Sequence, residues 1–321
     1  MMHVLALVPG GIGDQILFFP TVESLKQAYP DAKIDIVAEP RSRGAYRVSK
    51  YLHDGSLTTI PFDFKDRNGL ADWSNFLGIL RDREYDAVLS LGRRWTVGAL
   101  LWLTGIPKRV GFDGSGRWFL TDPVPLKSEQ YAAEMYRDLL QGFNLSPAPL
   151  SLEISLLKED LEWAKAERDR QDLPEGYILI HGGSSRLARE KGIDKIYPVE
   201  KWTKILHAIR EKKPGTAIAV LKGPEDAEWV ERLASEVDDL KAIAPPDVGK
   251  LAATIAAANL MLCTDSAPMH LSVGLQTYTI ALFGPTEPAK LLPTDEKYVA
   301  IKSPTGNIAD IKPEAIIEKL G

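Results

Sequence analysis

The sequence predicts an α/β protein built from two doubly wound, Rossmann-like domains. Three observations carry that prediction. Apolar runs of strand length alternate with longer amphipathic stretches along the whole chain, the pattern of parallel sheets covered by helices. At 321 residues the chain exceeds one typical domain and suits two of roughly 150. Each half also opens alike: VLALVPGGIGD (4–14) and YILIHGGSSR (177–186) are apolar strands that run into glycine-rich turns. Open α/β sheets bind ligands beyond the carboxyl ends of their strands, so both turns fall where a site is expected, in a cleft between the two domains.

Apolar runs place strands near 3–9, 33–38, 57–61, 86–91 and 108–112 in the first half. Amphipathic stretches place helices over 15–29, 70–82, 94–104 and 129–142. In Asn144–Leu150, Pro147 and Pro149 interrupt both helix and ladder. The linker is read there, with domains 1–150 and 151–321. The second half continues the alternation, with strands near 177–181, 216–221, 259–264 and 278–283. Its helices cover 157–170, 199–212, 225–236, 248–257 and 267–275, and a short helix over 312–320 closes the chain, packing back on the N-terminal domain.

A hydrophobic share of 45% with 26% charged residues allows two cores to be buried without disulfide or metal. The net charge of −5 argues against general nucleic-acid binding. Val97–Leu103, the longest apolar stretch, falls far short of the ~20 residues a membrane span needs. Val4–Val8 is too short for the apolar core of a signal peptide. The single cysteine, Cys263, lies in an apolar run and reads as a buried structural thiol. With no disulfide to form inside the chain, a cytoplasmic protein is expected.

PGGIGDQILFFP (9–20) joins the first strand to a helix. Gly10, Gly11 and Gly13 permit close backbone approach and positive φ. A dinucleotide fingerprint needs another glycine three residues after Gly13, where Ile16 stands, so NAD binding is not expected. Asp14 sits at the loop-to-helix junction. There it can be an N-cap contributing about 1 kcal/mol, or a general base; the spacing accommodates both. HGGSSRLAREKGIDKIYP (181–198) joins glycines and the hydroxyls of Ser184 and Ser185 to four cations, Arg186, Arg189, Lys191 and Lys195. Such a loop is either an anion nest or a solvated basic turn. His181, after a buried strand, reads as a hydrogen-bonded structural residue.

Asp265–Ser266–Ala267–Pro268 opens a helix whose amides and dipole suit a phosphate. Gly284–Pro285–Thr286–Glu287–Pro288 forms a second rim at the end of the next strand, and two ordinary capped turns are the alternative reading. Arg41, Arg43, Arg47 and Lys50 follow another strand end, in a stretch (40–53) without an acidic residue, and Arg93 and Arg94 follow a third. Arginine suits bidentate contact with phosphate or carboxylate. A solvated basic face is the alternative.

GIGDQILFFP, PKRVGF, KIYP, KGPED and TDSAPMHLSVGLQTYTIALFGPTEP stand in an order and spacing that resemble glycosyltransferase family 9, which includes ADP-heptose:lipopolysaccharide heptosyltransferases. The similarity runs from residue 3 to about 292. It implies a GT-B fold, with an N-terminal acceptor domain that carries the base and a C-terminal nucleotide-sugar domain. It also implies inverting transfer with neither metal nor cofactor beyond the donor, for which ADP-heptose is a candidate. By resemblance, Asp14 is the catalytic base, and Lys195 binds the donor diphosphate and stabilises the leaving group. Gly11 and Gly13 belong to the donor loop, and Ser184 and Ser185 contact phosphate. Glu225 takes the ribose hydroxyls, with Asp226 its rival one residue on. Asp265, Ser266, Ala267 and His270 hold the diphosphate and sugar. Arg41, Arg43, Arg47, Arg93 and Arg94 are expected to hold an anionic glycan or glycolipid acceptor, with a peripheral contact at the inner face of the membrane.

The absence of any D-x-D fits a metal-independent reaction. Several positions depart from the family pattern: Ala267 replaces a usual glycine, Glu287 an aspartate and Tyr197 a tryptophan. The loop before Lys195 is longer, so Lys191 competes with it, and Gln130 and Tyr131 stand where a histidine is common. These changes leave the donor sugar open. A sugar-nucleotide epimerase or hydrolase, or a non-catalytic nucleotide-sugar-binding protein, would use the same phosphate loops.

Overall fold

The computed structural model describes residues 1–63, 69–146, 149–183 and 195–320. The chain divides into two compact units, Met1–Ser155 and Leu156–Gly321. The first holds six strands: β1 (His3–Leu7), β2 (Lys33–Ala38), β3 (Leu57–Pro61), β4 (Ala87–Ser90), β5 (Lys108–Phe112) and β6 (Asp122–Val124). They pair in parallel in the order β3-β2-β1-β4-β5-β6. The second unit holds β7 (Tyr177–His181), β8 (Ile218–Leu221), β9 (Lys241–Ile243), β10 (Ala258–Thr264), β11 (Tyr278–Phe283) and β12 (Tyr298–Lys302). Their order, β12-β11-β10-β7-β8-β9, is the same winding read from the other edge.

Both sheets therefore reverse direction between two central strands, β1 and β4 in one, β7 and β10 in the other. The connections leaving those strands diverge to opposite faces, which opens room for a ligand at their carboxyl ends. Helices cover both faces, so the central strands are apolar throughout: Val4–Leu7 and Ile36–Ala38 are buried. In the second unit the core gathers around Trp202 and Tyr197, whose rings meet edge to face at 5.6 Å.

Several elements differ from the sequence expectation. Strands β6, β9 and β12 were not foreseen; all three lie on the outer side of their sheets. The expected helix over 129–142 is an α-helix, Ala132–Arg137, followed by a 3-10 helix, Asp138–Phe143. Within the second unit the final helix, Pro313–Lys319, lies beside the Val199–Lys212 helix, and Ile316 and Ile317 join that unit's core. Cys263 is buried, and burial together with the nearby Asp265 charge pushes its thiol up, out of the range of a nucleophile. Among the described residues no helix is long and apolar enough to cross a membrane.

One charge lies inside the first sheet, away from the strand ends that face ligands. Asp35, on β2, accepts hydrogen bonds from Thr58, from Tyr85 at 2.7 Å and from Arg83. Burial alone would raise its pKa, but these donors outweigh burial and leave the carboxyl below its ordinary value. A lowered folded pKa adds stability that is present above the ordinary carboxylate range and lost as pH falls through it toward the folded value. Asp35→Asn should therefore flatten the acid limb of a urea-unfolding series run between pH 7 and pH 3. Asp35→Ala should also cost roughly 2 kcal/mol at neutral pH.

Candidate functional site

In the first unit the site begins where β1 ends. Gly10 has φ of +121°, a conformation that side chains rarely adopt, and a Cβ there would lie 2.2 Å from Asp14 Oδ2. Glycine thus lets the chain turn tightly around the Asp14 carboxylate. The Ile12–Ala28 helix starts three residues earlier than expected, with Gly11 as its N-cap. Asp14 is consequently not the N-cap but the third helical residue, and Oδ2 accepts the Gly11 N–H at 2.9 Å. Its other oxygen, Oδ1, accepts the Tyr136 hydroxyl at 3.1 Å. Burial, with the Asp14 charge beside it, pushes the Tyr136 phenol well above its ordinary pKa, so the phenol stays protonated as a donor. The carboxylate is half-buried and fixed at both oxygens. A Cβ at Gly11 would meet nothing within 4 Å, so the backbone there borders open space. Gly13 lies in the first helical turn.

The expected arginines fall on the same end of this parallel sheet. Arg41 and Arg43 follow β2, but Arg41 is paired with Glu39 at 2.8 Å, one residue outside the acid-free stretch. Arg43 is exposed and Arg47 half-buried in the 3-10 helix Arg43–Val48. Arg93 and Arg94 follow β4, both exposed.

In the second unit four strands deliver the expected residues to their carboxyl ends. Asp265, beyond β10, is buried, and its backbone N–H donates to Leu282 on β11 at 3.1 Å. Its Oδ2 accepts both Lys195 Nζ at 2.6 Å and the Thr286 hydroxyl at 2.7 Å. Two residues expected to meet the donor separately are therefore an ion pair, with Asp265 buried and Lys195 half-buried. Ser266 is the N-cap of the Ala267–Gly274 helix, yet its hydroxyl does not cap: it donates to the Thr264 carbonyl at 3.0 Å and lies 3.1 Å from His181 Nδ1. Pro268 has no N–H and the Met269 N–H donates to the Ser266 carbonyl at 3.0 Å, so the first-turn amide left to another acceptor is that of Ala267. His270 is buried on the same helix.

A second buried carboxylate, Asp226, lies 3.2 Å from His181 Nε2. A Cβ at Gly183 would lie 1.8 Å from Asp226 Oδ1, and one at Gly223 2.7 Å from Oδ2, so the carboxylate is wedged between two glycine backbones. Its neighbour Glu225 is exposed. Ser184, Ser185, Arg186, Arg189 and Lys191 lie outside the described residues. Sequence reasoning missed Tyr136, 122 residues from Asp14 with no motif to mark it, and it missed the pairing of His181 with Asp226. Thr286 was marked as a rim residue, without its partner.

A model of glycosyltransferase family 9 (heptosyltransferase) matches residues 74–320. The chain belongs to that family. It is accordingly a heptosyltransferase-like glycosyltransferase of α/β, GT-B architecture. An Arabidopsis thaliana protein named photosynthetic NDH subunit of subcomplex B 1, chloroplastic, is 28% identical over 335 residues, covering 95% of this chain and 70% of the relative. The lipopolysaccharide heptosyltransferase 3 of Escherichia coli is 24% identical over 294 residues, covering 86% and 81%. The structure of E. coli ADP-heptose LPS heptosyltransferase II superposes with a TM-score of 0.78 at 20% identity, over 99% of this chain and 97% of that one.

The ion pair makes a stability prediction. Asp265→Ala strands the Lys195 ammonium in a largely buried position and should cost on the order of 3 kcal/mol in urea unfolding. The double variant Lys195→Met/Asp265→Leu removes both charges and should recover most of that loss.

Proposed function

We propose that the chain is an inverting, metal-independent glycosyltransferase that moves a sugar from a nucleotide-diphosphate donor to an anionic glycan or glycolipid acceptor. Beyond family membership, the reading rests on the Asp14 carboxylate, fixed by Gly11 and Tyr136 at the carboxyl end of β1. The acceptor hydroxyl oxygen attacks C1 of the donor sugar on the face opposite the leaving group. The C1–O bond to phosphate breaks, its electron pair departs with the nucleoside diphosphate, and Asp14 takes the hydroxyl proton. Lys195 meets the charge that develops on the departing diphosphate.

In this reading Asp265 acts on the donor through Lys195. The carboxylate takes one N–H of the ammonium and leaves two for phosphate oxygens. Ser184, Ser185 and the amides at Ser266 and Ala267 complete the phosphate site, and Gly11 and Gly13 let the donor come close to the backbone. His270 supports the sugar side. Exposed Glu225 takes the ribose hydroxyls, because Asp226 is committed to His181. Arg43, Arg47, Arg93 and Arg94, with Arg41 released from Glu39, hold the acceptor's anionic groups. The work is done in the cytoplasm, against the inner membrane face. ADP-heptose, named for the E. coli enzyme, is the first donor to test. A non-catalytic role in nucleotide-sugar binding is the second reading, because the Arabidopsis relative is named as a subunit of a complex.

A panel of nucleoside diphosphates and their sugars should contain one that, at about a hundred times its Kd, adds about 2.7 kcal/mol of stability. Asp14→Asn should keep that stabilisation and lower kcat roughly 10²–10⁴-fold; near-normal turnover would contradict the assignment of the base. Donor binding without turnover on any acceptor would select the second reading. The triple variant Arg41→Gln/Arg43→Gln/Arg47→Gln should raise acceptor KM while donor binding is unchanged.

A further inference from the structure

The helix that follows β4, Trp95–Leu103, reads WTVGALLWL and contains no charged residue. Gly98, Leu100 and Leu101 are its buried positions. Its other face carries Trp95, 59% exposed, Trp102, 57% exposed, and Leu103, 44% exposed. Trp95 and Trp102 are seven residues apart and so share one face of the helix. A helix covering a sheet normally turns several polar residues to water; here Thr96 is the one exposed polar residue among Trp95, Trp102 and Leu103.

The patch extends beyond the helix. Trp118, 91% exposed, lies in the 3-10 helix Arg117–Phe119. That segment is pinned to the helix: a Cβ at Gly98 would lie 2.7 Å from the Gly116 carbonyl oxygen, and the Trp95 N–H donates to Ser115 Oγ at 3.0 Å. Cations stand at both ends of the helix and beside Trp118 in the chain. Arg93 and Arg94 precede the helix, exposed and with no ion pair among the described residues. Arg81 reaches the carbonyl of Leu103 at its far end, at 3.0 Å. Arg117 is paired with Asp113, the one acid recorded in this ring of contacts.

We infer that this face, built on Trp102, Leu103 and Trp118 with Trp95, is a docking surface for an anionic lipid bilayer. Indoles settle at the headgroup boundary, where an apolar body and a polar N–H are both accommodated, and arginines beside them meet lipid phosphates. Tryptophan and arginine also mark protein interfaces. Lipid is favoured here by the excess of unpaired positive charge around an uncharged apolar centre, which complements an anionic surface. The inference deepens the glycolipid-acceptor reading and rests on it: Arg93 and Arg94, assigned to the acceptor's anionic groups, run directly into Trp95, so an acceptor held there keeps its acyl end at the patch.

The test is flotation of the full chain with vesicles, in the absence of donor and acceptor. Wild-type protein should float with vesicles of phosphatidylglycerol and phosphatidylcholine, and less with phosphatidylcholine alone. The variant Trp102→Ser/Leu103→Ser/Trp118→Ser, with an unchanged thermal midpoint, should lower partitioning roughly tenfold or more. A single Trp118→Ser change at the most exposed site gives a smaller loss and guards against misfolding of the triple variant. Wild-type chain that stays unbound, or variants that float like wild type, would overturn the proposal. So would a self-associated wild type that the triple variant converts to monomer without any vesicle binding, which would assign the patch to a second copy. A chain that floats but transfers no sugar loses only the catalytic reading. One that glycosylates a delipidated acceptor yet never floats loses only the docking surface.

Discussion

Parallel strands all point one way, and that constraint decides where everything chemical in this protein can be. A sheet wound outward in both directions from two central strands gathers its loops at one end and leaves the other end to packing. Asp14 and the arginine loops occupy the gathering end of the first sheet. Lys195, Asp265, Ser266, Thr286 and the Asp226–His181 pair meet at that of the second. The matching strand orders make the two units variations on one plan, equipped with different side chains.

The two units treat negative charge differently. In the second, Asp265 and Asp226 are buried, each beside a basic side chain, so that their charges serve mainly to orient a lysine and a histidine. In the first, Asp14 is half-buried and its partners are a backbone amide and a neutral phenol. Among the described residues no ion pair joins it to a cation. A carboxylate held by neutral donors keeps its position without a paired counter-charge. Asp35 shows the contrasting structural use of the same residue type: sunk in the sheet and bound on all sides, it holds β2 to β3 and to the Arg83–Tyr85 segment.

Most of the central architecture could be read from the chain because buried parallel strands are long apolar runs. The strands that escaped notice are outer ones: β6 includes a proline and β9 has only three residues, too few to form a pattern. β12, YVAIK, carries a stronger signal but follows a polar turn and sits at the sheet edge. At the site, sequence motifs singled out residues and were silent about their partners. Lys195 and Asp265 are both conspicuous, yet nothing in their spacing reveals that they touch across 70 residues. The position of Asp14 at the loop-to-helix junction accommodates a cap and a base alike; the helix begins earlier, with Gly11 as its N-cap, so Asp14 is the third helical residue. Tyr136 is an ordinary aromatic in the sequence and becomes significant only when the Ala132–Arg137 helix lies against the Ile12–Ala28 helix.

The wedging of Asp226 between Gly183 and Gly223 ties together two turns that lie 40 residues apart. Neither turn can shift outward without uncovering the carboxylate, and neither can carry a side chain that would prop them apart. They must therefore order, loosen and reorder as one piece. A ligand that fixed Gly183 would fix Gly223 with it, so ordering one of these glycines spares part of the entropic cost of ordering the other.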